Sequence, residues 1–350
     1  MTNSAIEIGE RWVSASHPPY IVAELSANHG GSLERALKVM EAAKSAGADA
    51  IKLQTYTADT ITIDCDRDDF KIHGGLWNGR KLYELYEEAH TPWEWHEALF
   101  AKGRELGIPV FSTPFDETAV SFLTKYDPPA YKIASFEMID LPLVRCVAAT
   151  GKPVIMSTGM ASPEEIAESV DTFRAAGGRD LILLHCVSGY PTPPEQSNLR
   201  RIPELTKQFG CPVGLSDHTL GTEVAIASVA LGARVIEKHF TLARADGGPD
   251  SAFSLEPAEL RALVHGVRTA FDALGTGAPA RAEVEKGNMN FRRSIYVVRD
   301  IGIGEALTPN NLRIIRPGYG LPPRELENVI GRKARRPLAR GAALTWDAVE

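Results

Sequence analysis

Eight short apolar segments recur along residues 20–273, and this repeat limits more than any other feature how the chain can fold. Between most of them lies a longer stretch with apolar residues three and four positions apart, as in Leu33–Ala46 and Pro163–Ala176. Short, wholly apolar runs are typical of strands buried on both faces, and the longer period is typical of helices. The predicted strands are Tyr20–Glu24, Ala50–Gln54, Pro109–Thr113, Ala130–Ala134, Pro153–Ser157, Leu181–Cys186, Pro212–Ser216 and Arg234–Lys238.

This repeat predicts an α/β fold, namely a (β/α)8 TIM barrel, because eight strand–helix units over roughly 250 residues are what closes such a barrel. Gly47, Gly107 and Gly232 each follow a helical stretch directly before the next strand, as glycines at helix C-termini commonly do. A doubly wound sheet is the competing architecture. It is disfavoured because no G-x-G-x-x-G sequence follows the first strand.

Two segments depart from the plain repeat. Ile6–Ile8 and Arg11–Val13 precede the first strand, and we expect them to form a small hairpin that caps one end of the barrel. Residues 57–91 form a long, polar and aromatic insertion after the second strand. Long loops in compact domains are usually functional or disordered, and barrel enzymes place functional loops at the C-terminal ends of strands. We therefore expect residues 57–91 to be a substrate lid.

The composition changes after Leu274. Residues 275–280 read GTGAPA, which is typical of a linker, and short strand and turn patterns begin at Ser294. We predict strands at Ser294–Val298 and Leu312–Arg316, and starts of short helices at Pro309 and Pro322. The expected organisation is a barrel domain over residues 1–275, a linker over 276–290 and a small separate domain over 291–350.

Composition and charge exclude several classes of protein. The chain is 44% hydrophobic with a mean hydropathy of −0.14, and it lacks the run of ~20 apolar residues that a membrane helix needs. No signal-peptide pattern precedes the first strand, and the four cysteines follow no zinc-binding spacing. We expect a cytoplasmic protein without a membrane partner.

The net charge of −7 is distributed unevenly. Residues 281–350 hold 13 Lys and Arg against 8 Asp and Glu, a balance of +5, which leaves −12 for the other 280 residues. A basic tail can bind nucleic acid, but this one has few aromatic residues and no nucleic-acid motif. We expect instead a solvated surface, or a basic face that docks on the acidic body of the same or another subunit.

Polar residues stand at the C-terminal end of every predicted strand, where a barrel enzyme has its active site. These residues are Glu24, Lys52, Gln54, Thr113, Lys132, Ser135, Ser157, Thr158, His185, Ser216, Asp217, His218, Lys238 and His239. Ammonium groups surrounded by hydroxyls suit a small anion that carries phosphate and carboxylate. A buried barrel lysine can also form a Schiff base, as in aldolases. The residue types leave both roles open and slightly favour the phosphate role.

His218 and His239 follow the seventh and eighth strands, whose ends lie ~5 Å apart in a sheet. They can share one metal ion, or they can simply form a hydrogen-bonded pair. Two protein nitrogens would leave a metal open to water and substrate, which favours an exchangeable Mn²⁺, Co²⁺ or Mg²⁺ over a structural Zn²⁺. We expect Asp217 and Glu237 to point away from the site and Cys186 to be a buried, inert thiol.

Several segments carry a resemblance that covers nearly the whole chain. They are Ala23-Glu-Leu-Ser-Ala-Asn-His29, Ile51-Lys-Leu-Gln-Thr55, Ser112-Thr-Pro-Phe115, Tyr131-Lys-Ile-Ala-Ser135, Ser157-Thr-Gly-Met160, Gly214-Leu-Ser-Asp-His-Thr219 and Glu237-Lys-His-Phe240. Together they resemble the sialic acid synthase family, and Arg316-Pro-Gly-Tyr-Gly320 resembles that family's antifreeze-like (SAF) domain. Within the family, Phe70–Trp77, His90–Trp95 and Arg244–Phe253 are most similar to the members that make pseudaminic acid.

The resemblance implies a condensation of phosphoenolpyruvate (PEP) with an open-chain acetamido sugar, in which the C–O bond of PEP breaks. For this branch the acceptor is 2,4-diacetamido-2,4,6-trideoxy-L-altrose, with the N-acetylneuraminate and legionaminate precursors as alternatives. The matching PEP-binding residues are Lys52, Thr113, Lys132, Ser135, Ser157, Ser188 and Ser216, although Ser188 stands where the family commonly has Asn. Asn78, Tyr190, Asp250 and Arg316 match sugar-binding positions.

The resemblance further implies that Glu24 is a catalytic acid and that His218 and His239 hold a divalent metal, with Mn²⁺ ahead of Mg²⁺ and Co²⁺. It implies a homodimer in which the SAF domain of one chain covers the barrel mouth of the other. Trp77 and Trp93 lie in or beside the expected lid, where they would cover the deoxy sugar or pack the loop. Two other classes of function remain: a Schiff-base pyruvate aldolase that uses Lys132, and a non-catalytic binder of an anionic polymer.

Overall fold

The computed structural model describes residues 5–350, in which the chain forms two compact units. One unit ends at Gly275 and the other runs from Thr276 to Glu350. The strand–helix repeat of residues 20–273 and the short strand and turn patterns that begin at Ser294 therefore lie in separate units. Among the described residues, none of the helices combines the length and the apolar character that a bilayer span requires.

The first unit is built around a closed barrel of eight parallel strands, which pair in chain order, with the last strand closing on the first. An antiparallel hairpin of β1 (Ile6–Ile8) and β2 (Arg11–Val13) precedes it. The barrel strands are β3 (Tyr20–Glu24), β4 (Ala50–Thr55), β5 (Val110–Pro114), β6 (Tyr131–Ile133), β7 (Val154–Ser157), β8 (Leu181–Cys186), β9 (Val213–Ser216) and β10 (Val235–His239). The predicted TIM barrel is confirmed, and each predicted strand overlaps an observed one.

Helices alternate with these strands and cover the outside of the barrel. They are α1 (Leu33–Ala46), α2 (Ala58–Ile61), α3 (Leu82–Ala89), α4 (His96–Leu106), α5 (Glu117–Thr124), α6 (Leu141–Ala148), α7 (Pro163–Ala175), α8 (Arg201–Phe209), α9 (Glu223–Ala230) and α10 (Pro257–Leu274). Helix α7 begins with a capping box between Ser162 and Glu165, which satisfies two backbone donors. Helix α1 ends at Gly47, whose φ of 96° favours glycine.

The strands are mostly apolar because both of their faces are buried, and their polar residues lie toward their C-terminal ends. Ile21, Ile51 and Leu183 belong to the large core between the strands and the helices. Their neighbours point inward, where Tyr20, Val22, Ala50, Phe111, Ala130, Ile155, Ile182, Leu184 and Val235 form a second core. Residues two positions apart on a strand share a face, so this second core fixes which residues further along face the barrel interior.

The N-terminal hairpin closes one end of this interior. Ile6, Ile8 and Val13 are buried and belong to the same cluster as Tyr20 and the other inner residues. Since these inner residues lie near the N-terminal ends of the strands, the hairpin seals that end, as predicted. The C-terminal ends of the strands remain available for the polar residues that follow.

The insertion after β4 contains the short helices α2 and α3. Its two tryptophan candidates differ in surroundings. Trp93 lies beside the insertion, where its ring packs 4.4 Å from that of Phe122 and its Nε1 donates to the Tyr56 carbonyl oxygen at 3.2 Å. Trp77 donates through Nε1 to the Pro249 carbonyl oxygen at 3.0 Å. Trp93 therefore packs the fold, whereas Trp77 ties the insertion to the loop after β10.

Short 3-10 helices in the first unit connect several of these elements. They are Ser26–His29, Asp68–Phe70, Trp93–Trp95, Pro194–Gln196, Arg244–Asp246 and Ser251–Phe253.

The second unit contains an antiparallel pair, β11 (Ser294–Val297) and β12 (Leu312–Ile315), and the short helix α11 (Leu326–Val329). Its core includes Ile295, Leu312 and Leu344. Its 3-10 helices are Glu283–Glu285, Gly287–Phe291, Pro323–Glu325 and Trp346–Ala348. Both predicted strands and the helical start near Pro322 are confirmed. The helix expected from Pro309 is wrong, because residues 309–311 form a turn.

Candidate active site

The inward face of the strands carries a layer of polar side chains at its C-terminal end. Glu24, Lys52, Thr113, Lys132 and Ser157 each stand two positions beyond an inward residue of the second core. The side chains of all five are buried, with at most 4% of any residue exposed. The barrel therefore brings the lysines and hydroxyls of different strands to one end of its interior.

Lys52 is the centre of a buried charge network. Its Nζ lies 2.7 Å from Glu24 Oε2 and 3.3 Å from Glu237 Oε1, and it donates to Thr113 Oγ1 at 3.4 Å. Ser216 Oγ donates to Glu237 Oε1 at 3.1 Å. Two carboxylates thus share one ammonium group, and such a group stays charged: the pKa of Lys52 is raised despite its burial because Glu237 and Glu24 outweigh the desolvation.

The two carboxyl groups of this network have different pKa values. Burial raises the pKa of Glu24 to about 7, against the opposing effect of Lys52. Glu237 is equally buried, but Lys52 and Lys132 overcome its desolvation and lower its pKa. Two neighbouring carboxyl groups with separated pKa values are a common arrangement for acid–base chemistry. Glu24 is the one that can hold or release a proton near neutral pH.

Lys132 lies in the same layer, on β6. Its Nζ donates to Ser157 Oγ at 2.7 Å and to the Ile133 carbonyl oxygen at 2.9 Å. Burial lowers the pKa of Lys132 to about 8. An anionic ligand would reverse this shift, because a nearby negative charge favours the ammonium form.

Gly159 provides a close approach between two serine hydroxyls. Its backbone N–H donates to Ser135 Oγ at 3.0 Å. A Cβ atom at this position would lie 2.4 Å from Ser188 Oγ and 2.7 Å from Ser135 Oγ. Ser135 and Ser188 therefore face each other across a glycine, and together they form a small cradle of hydroxyl groups.

His218 and His239 lie side by side, with their ring centroids 5.4 Å apart. Two imidazoles bound to one ion at ~2.1 Å would have centroids roughly 5.3 Å apart in tetrahedral geometry and roughly 4.6 Å apart in octahedral geometry. His218 Nδ1 lies 3.0 Å from the Val187 carbonyl oxygen, which can only accept, so Nδ1 carries a proton. Despite its burial, contacts with Cys186 and Val187 raise the pKa of His218, and Nε2 offers a lone pair in the neutral form. Burial and the charges of His218, Lys52 and Lys238 hold the pKa of His239 well below its usual value. It is therefore neutral and able to bind a metal.

Unpartnered buried atoms test whether a metal fits here. Within residues 5–350, His239 Nδ1, Glu24 Oε1 and Glu237 Oε2 are buried without a hydrogen-bond partner. Such groups are costly unless a ligand or water satisfies them. No group of three or more His, Cys, Asp or Glu in the described chain has metal-binding geometry. The two histidines with nearby carboxylates therefore fit an open, exchangeable ion rather than a fully enclosed one.

Aromatic residues form a wall beside the histidines. The Tyr190 ring lies 4.3 Å from that of His218 and 5.2 Å from that of Phe253, and Phe253 lies 4.9 Å from His239. The Trp77 ring lies 5.7 Å from Tyr190. The aromatic faces of this wall suit apolar groups of a ligand, such as methyl groups.

Asp250 stands at the edge of this wall. Its Oδ2 accepts hydrogen bonds from Ser26 Oγ and from the Ala27 N–H, and lies 3.9 Å from His239 Nδ1. Asn78 is exposed, and its Oδ1 accepts from the Gly74 N–H at 2.6 Å. The structure thus brings Asp250 to the histidines, whereas Asn78 organises its own loop.

Arg316 belongs to the second unit. There it lines a cavity of about 520 Å³ together with Asn288, Phe291, Arg292 and Arg293. None of these three arginines forms an ion pair with an acidic residue of its own unit. The cavity is therefore cationic and lacks a counter-charge within this unit.

The expected directions of three side chains need correction. Glu237 was expected to point away from the site, but it lies two positions before His239 and shares the inward face, where it contacts Lys52. His185 and Lys238 were counted at the mouth, but both point outward. His185 Nε2 lies 2.7 Å from the Ser197 carbonyl oxygen, and Lys238 pairs with Asp217. Asp217 points away as expected.

Sequence reasoning also missed several residues of the site. Glu237, Gly159 and Phe253 are close to the candidate residues, and the strand period of two would have identified Glu237 from His239. Glu137 carries a buried Oε2 without a partner in the described chain, and burial raises its pKa to about 7. Cys186 is buried as expected, with its Sγ 3.9 Å from His218 Nδ1.

Two family models and several known proteins match this chain over most of its length. The model of the NeuB family matches residues 39–279, and that of the SAF domain matches residues 292–350. A pseudaminic acid synthase of Campylobacter jejuni is 49% identical over 93% of this chain and 95% of its own length. One of Helicobacter pylori is 42% identical over 95% of this chain and 98% of its own.

A solved structure shares both fold and sequence. The N-acetylneuraminic acid synthetase of Leptospira borgpetersenii, crystallised in complex with citrate, superposes with a TM-score of 0.74 at 32% identity. The match covers 83% of this chain and 96% of the Leptospira chain.

Proposed function

Because this chain belongs to the NeuB family, we propose that it condenses PEP with 2,4-diacetamido-2,4,6-trideoxy-L-altrose and water, giving pseudaminic acid and phosphate. The observation that carries this proposal is the buried layer at the barrel mouth, where two lysines and several hydroxyls adjoin a pair of neighbouring histidines. The choice of acceptor is supported by the 49% and 42% identity to pseudaminic acid synthases. The protein is then a transferase that forms a carbon–carbon bond.

The lysines and hydroxyls would bind PEP. Lys52 and Lys132 supply the positive charge that a phosphate and a carboxylate need in a buried pocket. Thr113, Ser157 and Ser216 already contact one or other of these lysines or Glu237, and the Ser135–Ser188 cradle offers two further hydroxyls. In this arrangement the ammonium groups neutralise the anion and the hydroxyls fix its orientation.

His218 and His239 would hold a divalent ion, with Mn²⁺ preferred over Mg²⁺ and Co²⁺. When bound, such an ion supplies Lewis-acid polarisation of a carbonyl oxygen. The sugar would then lie against Tyr190, with Asp250 as a hydrogen-bond acceptor for its hydroxyl or amide groups. This placement brings the aldehyde of the open-chain sugar beside the PEP pocket.

The reaction balances with the groups at hand. C3 of PEP forms a bond to the aldehyde carbon, water adds at C2, and the C2–O bond to phosphate breaks as C2 becomes a ketone. Glu24, whose pKa burial raises to about 7, accepts one proton of the attacking water and returns it to the aldehyde oxygen, which becomes a hydroxyl. The second proton of the water leaves with the phosphate. Lys52 lies 2.7 Å from Glu24 and keeps the carboxylate in place.

We also propose that the protein works in the cytoplasm as a homodimer, in which the SAF domain of each chain covers the barrel mouth of its partner. Two features support the proposed dimer. The loops after β6, β7 and β9 expose the large apolar side chains Phe136, Ile139, Met160 and Leu220, each at least 59% exposed. The second unit carries unpaired arginines, including Arg316, opposite in charge to the acidic barrel domain.

A comparison of three acceptors tests the proposed reaction. Purified protein receives PEP and Mn²⁺ with the diacetamido-trideoxy-altrose, its D-manno counterpart or N-acetylmannosamine, and phosphate release and product mass are measured. We expect turnover with the altrose sugar and loss of turnover with a chelator. Turnover with another sugar alone would keep the reaction and replace the acceptor by the legionaminate or neuraminate precursor. Phosphate release with none of them would contradict the proposal.

One observation favours a second candidate, a Schiff-base aldolase. Lys132 has a pKa lowered to about 8, which such a nucleophile needs. Incubation with pyruvate and borohydride distinguishes the two. A reduced adduct on Lys132 would favour the aldolase, whereas we expect none, because Lys132 Nζ is bound to Ser157 and to the Ile133 carbonyl oxygen.

A further inference from the structure

A buried ion pair lies directly beside both histidines, on the opposite face of the strands. Lys238 precedes His239, and Asp217 precedes His218. Lys238 Nζ lies 2.8 Å from Asp217 Oδ2, and both side chains are at most 2% exposed. Because neighbouring residues of a strand point to opposite faces, the pair cannot reach a substrate in the barrel interior. The reaction proposed above makes no use of it.

The backbone ladder between β9 and β10 ends just where the pair begins. The register of these strands pairs Ile236 with Leu215 and Glu237 with Ser216. One further backbone bond follows, from the Asp217 N–H to the Glu237 carbonyl oxygen at 2.9 Å. Beyond it, the Lys238–Asp217 ion pair continues the connection between the two chain segments that carry the histidines.

The pair also holds both sides of His218. Lys238 Nζ donates to the Thr219 carbonyl oxygen at 2.6 Å, and Asp217 Oδ1 accepts from the Thr219 N–H at 2.9 Å. The residue before His218 and the residue after it are thus both bound to the residue that precedes His239. A change in this network would alter the distance and angle between the two imidazoles.

We propose that Lys238 and Asp217 are positioning residues that set the separation of His218 and His239 for one divalent ion. The inference rests on the metal site of the proposed function. Metal affinity depends steeply on geometry, and outer residues that orient the ligands commonly change it 10–100-fold.

The test compares Mn²⁺ binding by the full chain and by the double variant Asp217→Asn with Lys238→Met. This variant keeps the volume of both side chains and avoids a buried unpaired charge. Free Mn²⁺ is measured by its electron paramagnetic resonance signal during titration. We expect at least tenfold weaker Mn²⁺ binding than in the unchanged protein. Equal affinity in the two proteins would overturn the proposal.

A second ion pair of the barrel serves as a matched control. Arg11 and Asp49 are paired far from the histidines, and the Asp49 side chain is 7% exposed. The double variant Arg11→Met with Asp49→Asn should lower the free energy of unfolding and leave the Mn²⁺ affinity unchanged. A loss of Mn²⁺ affinity in this control equal to that in the first variant would attribute the effect to general stability and overturn the proposal.

Two further outcomes are separable. If the Asp217→Asn/Lys238→Met protein does not fold, the single variant Asp217→Glu keeps both charges paired and lengthens the acidic side chain by one CH₂ group, and it should bind Mn²⁺ roughly threefold more weakly; unchanged affinity there would overturn the proposal. If the unchanged protein binds neither Mn²⁺, Mg²⁺ nor Co²⁺ in the presence of PEP, the metal site itself is contradicted, and the positioning role falls with it.

Discussion

At the scale of the residue, the site depends on how closely unlike groups approach. At position 159 a Cβ atom would come within 2.7 Å of the hydroxyl oxygens of both Ser135 and Ser188, so only glycine leaves room for the two side chains. Lys52 contacts two carboxyl groups with different pKa values: burial raises that of Glu24 to about 7, whereas at Glu237 the lysines Lys52 and Lys132 outweigh burial and lower the pKa. Single atoms therefore decide whether an anion fits the pocket.

Gly159→Ala tests the hydroxyl cradle. The added Cβ would lie 2.4 Å from Ser188 Oγ and 2.7 Å from Ser135 Oγ, so both hydroxyls must rotate away. We expect the KM for PEP to rise roughly tenfold or more, equivalent to ~1.4 kcal/mol of lost binding, with little change in the KM for the sugar. Steady-state kinetics with each substrate varied in turn provides the measurement.

Gly287→Ala is the control for that experiment, because no atom lies within 4 Å of the added Cβ. Its kinetics should match those of the unchanged protein. A normal KM for PEP in Gly159→Ala would mean that the two serines do not bind PEP.

A second residue-scale prediction concerns pH and stability. Burial lowers the pKa of His96 from 6.5 to about 4, and its Nε2 lies 2.8 Å from Thr55 Oγ1. Between these pH values the unfolded chain binds a proton that the folded chain does not. The contribution of His96 to the free energy of unfolding is therefore fully present above its pKa in the unfolded chain. It is lost as the pH falls toward its pKa in the folded protein.

His96→Asn removes this dependence. Between pH ~7 and ~5 the unchanged protein should lose roughly 2 kcal/mol more of its free energy of unfolding than the variant does. Urea denaturation at the two pH values measures it. Parallel losses in both proteins would show that His96 can be protonated in the fold.

At the scale of the element, the sequence predicts where the strands lie. It does not predict whether the last residues of each strand point into the barrel or toward the helices. Because both faces of each strand are buried, its residues are mostly apolar, and this run reveals where the strand lies in the sequence. The polar–apolar alternation that would show which residues face the barrel interior is missing. In the structure, Val235 belongs to the inner core, which places Glu237 inside the barrel and Lys238 outside it. Which partner each lysine takes depends on a neighbouring strand, and a single strand's sequence does not contain that information.

The insertion after β4 supplies the prediction at this scale. Trp77 binds the Pro249 carbonyl oxygen and lies against Tyr190, so it ties the insertion to the wall beside the histidines. Trp77→Ala should raise the KM for the sugar roughly tenfold, as the loss of ~1.4 kcal/mol implies, and leave the KM for PEP nearly unchanged.

Trp93→Ala is the matched control, since Trp93 packs on Phe122 inside the fold. It should lower the melting temperature without a selective effect on the sugar. An unchanged KM for the sugar in Trp77→Ala, measured with saturating PEP, would contradict a substrate contact by this loop.

At the scale of the whole molecule, the two units divide the work unequally. The barrel holds the lysines, the carboxylates and the histidines, whereas the second unit holds Arg316 in a cationic cavity. The division between the units at Gly275 follows from the change in composition that the sequence displays. The assignment of sugar-binding residues depends on family resemblance, because no periodicity marks which arginine reaches a partner.

Deletion of residues 282–350 tests the shared site. The truncated chain should remain folded and lose nearly all activity, because Arg316 would be missing from the partner's site. Mixing it with a full-length His239→Ala chain should restore part of the activity, since the truncated barrel receives Arg316 from its partner. A demonstrated mixed dimer without activity would contradict the shared-site proposal.

The most direct test of the central claim follows the oxygen that bridges C2 and phosphorus in PEP. The protein is incubated with the altrose sugar, Mn²⁺ and PEP labelled with oxygen-18 at that atom, and the masses of both products are measured by mass spectrometry. If water adds at C2 and the C–O bond breaks, the label appears in phosphate. Label retained in the nine-carbon acid would mean that the P–O bond breaks, and would contradict the reaction assigned to this site.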